Sequence, residues 1–142
     1  MEKSELSRLE AYLRKTFGSP ELVVRAKRAD QAELRLGEAT LADISKDEDE
    51  GEMSYFVNMG VARAAGAAKD APITGAELTR LQEVLRERLG AKALSVRARP
   101  RKTDSAEVYV GEEFVGTVSR DEESREFGHF LTMSILDIDL ED

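Results

Sequence analysis

His129 is the one histidine of a chain without cysteine, so it is the natural place to look for chemistry. An imidazole that works as a base or a metal ligand needs a nucleophile, a carboxylate or further ligands around it. In "EFGHFL", His129 alternates with Phe127 and Leu131, which reads as a packing residue on the apolar side of a strand. The absence of cysteine removes disulfides, thiolate catalysis and thiolate metal sites. There is no G-x-S-x-G elbow, and no glycine-rich phosphate loop runs into a helix. The expectation is a chain that is not an enzyme and has no cofactor and no metal.

Charge clusters are the next candidates. "RARPRK" places Arg97, Arg99, Arg101 and Lys102 around a turn, and "RAKR" repeats the theme from Arg25 to Arg28. Such hairpins can grip phosphate oxygens. Acidic runs answer them at Asp47, Glu48, Asp49, Glu50 and Glu52, and at Asp121, Glu122, Glu123 and Glu126. In an up-and-down meander the basic β1–β2 turn and the acidic β3–β4 turn share one end, about 10 Å apart. That is about one Debye length, so the expected role of both is mutual compensation on a solvated rim. "DEDEGE" lacks the alternating ligands and terminal glutamate of a calcium loop. Two aromatics, Tyr109 and Phe130, alternate away from the apolar residues beside them. They belong either to a surface where two parts of the chain pack or to an exposed partner site.

These residues sit in elements that occur twice. A shift of 72 aligns Glu5, Leu6, Arg8, Leu9, Leu13, Arg14 and Gly18 with Glu77, Leu78, Arg80, Leu81, Leu85, Arg86 and Gly90. Two residues are gained in "PRKTD", and a shift of 74 then aligns Gly37, Ser45, Asp47, Phe56 and Met59 with Gly111, Ser119, Asp121, Phe130 and Met133. Leu6, Leu9, Leu13 and Phe17 make one helical stripe, and Leu78, Leu81, Leu85 and Leu89 make another. Thr74 and Glu77 read as a capping box, and Gly18 and Gly90 as left-handed helix ends. Four alternating strands follow each helix, with Gly111-Glu112 as a two-residue hairpin loop. After Ser134 the apolar phase slips to Leu136, Ile138 and Leu140, predicting a bulge or a tail strand. The alanine- and glycine-rich "ARAAGAAKDAP" reads as a linker.

The expected fold is α+β: two tandem α-β-β-β-β repeats with antiparallel meanders, packed as an intramolecular pseudo-twofold dimer. The boundaries are 1–61 for a diverged first repeat, 62–73 for the linker and 74–142 for the second repeat. One unit alone would bury too little, so the two are expected to cover each other.

The second copy resembles a small family of single-domain alphaproteobacterial proteins classed as a domain of unknown function. The likeness rests on "VRARPRKTDSAEVYVGEEFVGTVSRDEE" and "MSILDIDLED" and spans roughly 75–142. "AYLRKTFGSPELVVRAKR" in the first copy is similar to the family's helix and first strand, after which "GEATLADIS" drifts from "GEEFVGTVS". The resemblance implies an ordered, duplicated domain and assigns no catalytic or ligand-binding residue.

Composition bounds the function. Apolar residues make up 41% and charged residues 35%, a globular profile. The net charge of −8 opposes general binding of nucleic acid. No apolar run is long enough to span a bilayer, and "MEKSELSRLEAYL" lacks a signal-peptide core, so the expected location is the cytoplasm. The expected function is protein interaction by a monomeric fused pseudo-dimer, through a sheet edge or the groove between repeats. Its partner contacts would come from Arg97, Arg99, Arg101, Lys102, Tyr109 and Phe130. The alternative is nucleic-acid or phosphate-ligand binding through the basic hairpins.

Overall fold

The computed structural model describes residues 1–62, 73–121, 123 and 126–140. The linker expected over 62–73 lies outside the described residues except at its two ends, where Ala62 closes a strand.

Each half runs helix then four strands. The first half is α1 (Lys3–Phe17), β1 (Leu22–Arg28), β2 (Gln31–Leu36), β3 (Ala39–Asp49) and β4 (Glu52–Ala62). The second is α2 (Gly75–Leu89), β5 (Leu94–Arg99), β6 (Lys102–Val110), β7 (Glu113–Arg120) and β8 (Phe127–Leu136). The helical stripes are the buried faces: Leu9, Leu13 and Phe17 on α1, and Leu81, Leu85 and Leu89 on α2. Gly18 and Gly90 end the helices at φ 64° and 67°, where a Cβ would be strained. The capping box of α2 is half formed. Thr74 Oγ1 accepts the Glu77 N–H at 3.1 Å, while the Glu77 carboxylate turns inward to other partners. The two residues gained by the second copy do not lengthen its β5–β6 turn. Pro100-Arg101 suffices there, and the surplus is taken up as an irregularity between Ala98 and Arg99 in the pairing with β6.

The two meanders form one eight-stranded antiparallel sheet, in the order β1-β2-β3-β4-β8-β7-β6-β5. The halves join edge to edge, β4 against β8. Their register pairs Asn58 with Thr132, Val57 with Met133 and Met59 with Leu131. Asn58 and Thr132 are equivalent positions of the two copies, and the flanking pairs exchange under the same relation. An isologous contact requires this, so the pseudo-twofold axis passes between Asn58 and Thr132.

Both helices lie on one face over a single core that draws on both halves. They also fasten the halves together. β3 pairs with β4 only from Asp43 onward, so Gly60 and Ala62 lie beyond its last partner. Arg88 and Arg80 of α2 donate to those two carbonyls, at 2.8 Å and 2.9 Å. The second half has the matching gap, because β7 pairs with β8 only from Thr117. There Tyr12 of α1 lines the cleft with Gly116 and Met133, and Arg8 meets Asp137 at 3.4 Å.

The aromatics Tyr109 and Phe130 do not lie between packed repeats, because the repeats meet along strand edges rather than face to face. Two further expectations change at β8. The apolar slip after Ser134 is neither a bulge nor a tail strand. The strand stops at Leu136, and a 3₁₀ turn over Asp137–Asp139 sends Ile138 outward and Leu140 into the core. Phe127 leaves the face of His129 because the register shifts between Val61 and Ala62. Its ring packs where a Gly60 side chain would point, 2.7 Å from an ideal Cβ there, and meets Phe130 edge-on at 5.4 Å.

Candidate functional site

Two buried polar clusters hold each helix start to its own half. Glu5, in the first turn of α1, receives Lys46 Nζ at 2.7 Å, Tyr55 Oη at 2.7 Å and the Glu2 N–H at 2.9 Å. Burial works against ionisation of Glu5, but these donors outweigh it and hold its carboxyl at about 2. The Glu5 carboxylate in turn raises the ammonium of Lys46, and burial together with its bond to Glu5 raises the phenol of Tyr55.

The second half repeats the device with different side chains. Arg120 donates from Nη2 to both Glu77 oxygens, at 2.8 Å and 3.0 Å, and His129 Nε2 lies 2.7 Å from Glu77 Oε2. Burial again opposes ionisation, and Arg120 and His129 reverse the sign, so Glu77 is held below the usual carboxylate range. A carboxylate only accepts, so Nε2 is the protonated nitrogen, and Nδ1 has no partner among the described residues. His129 is therefore a buried packing residue that is also one arm of an acid clamp. Sequence reading missed the clamp. The available signal was the aligned Glu5 and Glu77 together with a cation at 46 and 120, each placed inward by alternation one residue after an aligned serine.

The basic hairpins are not brought together. β1 and β5 are the outer strands, and the antiparallel seam puts their turns at opposite ends of the sheet. Arg97 stacks on the ring of Tyr109 at 4.1 Å and donates to the Gly111 carbonyl. Arg99 donates to Ser105, and Arg101 and Lys102 stand exposed at the turn. Lys27 pairs with Asp43 along the sheet at 3.3 Å, and among the described residues no ion pair joins the basic turn to the acidic one. Of these, only Lys27 on β1 and Arg97 and Arg99 on β5 belong to outer strands, where cations discourage a foreign strand from adding. The inner edges are consumed by each other at the β4–β8 seam. Among the described residues no group of three or more histidine or acidic side chains is placed to hold a metal ion.

What remains open is the face opposite the helices. No element among the described residues covers it, and its side chains are half-buried or exposed apart from Ser105, which accepts from Arg99. Phe56 and Phe130 are equivalent positions that flank the pseudo-axis, paired with Ser134 and Gly60. Phe56 is 43% exposed, and Phe114, edge-on to Tyr109 at 5.7 Å, is 54% exposed. Both line a cleft of about 310 Å³ where β7 diverges from β8, with Thr117, Thr132 and Ser134. Two residues along β8, Leu136 continues the exposed apolar run. Tyr109 and Phe130 thus share this face, while Arg97 tops the ring of Tyr109, and Arg99, Arg101 and Lys102 lie apart from the Phe56–Phe114 cleft.

No curated protein matches the chain, and no solved structure matches it. A family model does, twice: the family described as "Protein of unknown function (DUF3126)" covers residues 5–63 and again 77–139. Those two segments coincide with the two halves of the pseudo-symmetric sheet, so the chain belongs to this family as a tandem duplication of its domain.

Proposed function

We propose that the chain is a non-enzymatic protein-interaction module that docks a partner on the uncovered face of the sheet, along the seam between repeats. One observation carries the reading. Among the described residues, the large apolar side chains left exposed are Met53, Phe56, Phe114, Leu136 and Ile138; Phe56, Phe114 and Leu136 lie on this face, and Met53 and Ile138 stand at its end beside Leu136. Scattered singly they would mean nothing, but gathered beside a seam they mark a surface that gains by being covered. The face is also rigid, because the helices lock both halves from behind, so a partner meets a preorganised surface.

A photo-reactive phenylalanine analogue at position 56 or 114, in the cell from which the chain comes, tests this. Both positions are expected to yield the same adduct. The exposed Glu87 on α2, carrying the same analogue, is expected to yield none. Equal adducts from all three positions, or none from 56 and 114, would overturn the reading.

A further inference from the structure

The end of the seam where β4 begins and β8 stops is built differently from the rest of the face. Glu50 and Gly51 turn the β3–β4 hairpin with φ of 51° and 84°, so Asp49 pairs directly with Glu52. The 3₁₀ turn after β8 holds Ile138 out at 87% exposure beside Leu136 and Met53, and these three share one cleft with Glu52 and Asp137. An adjoining cleft is lined by Asp47, Asp49, Glu50 and Glu52. Those four carboxylates are exposed, and among the described residues they form no ion pair. Asp137 is the one acid here already engaged, with Arg8.

An apolar floor edged by uncompensated acids selects its occupant. A second copy of this chain would bring the same acids against themselves, and an anionic membrane surface would be repelled. We infer that this end of the sheet takes a basic amphipathic segment of a partner protein. Its apolar side chains would lie on Met53, Leu136 and Ile138, and its lysines or arginines against Asp47, Asp49, Glu50 and Glu52. Helix-in-groove recognition has this form, with apolar anchors giving the contact and charges giving orientation and encounter rate. The inference rests on the partner-docking reading above and adds the chemistry of the partner.

The full chain is titrated with a fluorescent peptide of about 14 residues carrying leucine and lysine at helical spacing. A leucine–glutamate peptide and a lysine–serine peptide of equal length serve as comparisons. The leucine–lysine peptide is expected to bind, more weakly at roughly 300 mM than at roughly 50 mM salt, while the two comparison peptides bind at least about ten-fold more weakly. Leu136→Ser with Ile138→Ser is expected to cost about ten-fold or more in affinity at unchanged melting temperature, since both side chains are exposed. Asp47→Asn, Asp49→Asn, Glu50→Gln and Glu52→Gln together should cost as much and flatten the salt dependence. Glu83→Gln with Glu87→Gln, on α2, should change nothing. Overturning results are no binding, equal binding of the lysine–serine peptide, or indifference to either set of substitutions. If the peptide fails while adducts at positions 56 and 114 persist, the basic partner falls and the docking face stands. Loss of the adducts as well removes both.

Discussion

At Glu5 one carboxylate holds three donors from three different elements, and its duplicate at Glu77 does the same work with arginine and histidine in place of lysine and tyrosine. Replacing Glu5 by glutamine removes the charge that Lys46 pairs with and turns one of the two acceptor oxygens into an amide donor, so Lys46, Tyr55 and the Glu2 N–H can no longer all be satisfied. Glu5→Gln is therefore expected to lower stability by about 1.5–3 kcal/mol at neutral pH, the range for a hydrogen-bonded charged group. The pH dependence has a definite sign. The folded carboxyl titrates at about 2, below its ordinary value of 4.5. Its contribution is whole above that ordinary value, where folded and unfolded chains are both ionised. It is lost as pH falls from there through about 2, because the unfolded chain takes up the proton first. Urea midpoints of the parent and Glu5→Gln should differ at pH 7 and converge toward pH 2. A gap of constant size across that range would mean that the glutamine substitution acts through packing instead.

Elements declare themselves in sequence when their signal is local. The leucine stripes of α1 and α2, their glycine ends, and the Gly37 and Gly111 hairpin loops were all legible because period and turn chemistry depend on near neighbours. The edge-to-edge seam was not. β4 and β8 alternate like any strand whose two faces differ, and alternation says which face is buried, never which edge is paired. The acid clamps were hidden for a related reason, since Tyr55 lies 50 residues from Glu5 and His129 lies 52 from Glu77. The drift of the first copy at "GEATLADIS" hid little, because Gly37 still turns the hairpin and Leu41 and Ala42 are still buried. Helix fastening across the seam is the element-level property that can be measured. Arg88 satisfies the Gly60 carbonyl from the other half, and Arg80 satisfies Ala62. Arg88→Met keeps the aliphatic cover and removes the donor, and should cost about 1–2 kcal/mol. The loss should appear in amide exchange as faster opening of the 59–62 end of β4 than of Val96 in β5. Uniform acceleration over both strands would show that Arg88 does not fasten the seam.

The whole molecule is a dimer written into one chain, and its seam uses the same residues from each side. Since Asn58 and Thr132 face each other as equivalents, a second repeat with no first repeat has the right edge to pair with itself, Thr132 against Thr132. Apart from Gly60, whose counterpart Ser134 adds a Cβ where Phe127 packs, the contacts that the first half offers have counterparts in the second. Arg80 stands where Arg8 stands, Val84 where Tyr12 lines the cleft, and Arg120 and His129 complete the clamp internally. A lone repeat has a single helix and an open β8 edge that carries Leu131, Met133 and Ile135, too little burial to persist unpaired. Residues 73–142 expressed alone are therefore expected to sediment as a dimer close to the mass of the full chain, with melting that depends on concentration. Thr132→Pro removes a backbone donor at the axis of that dimer. The same change in the intact chain meets β4 at a far higher effective concentration, because the two halves are covalently joined. It should leave the lone repeat unfolded and the full chain folded at a reduced melting temperature. A stable monomeric 73–142 would show that the seam joins two finished domains and that neither needs the other to fold.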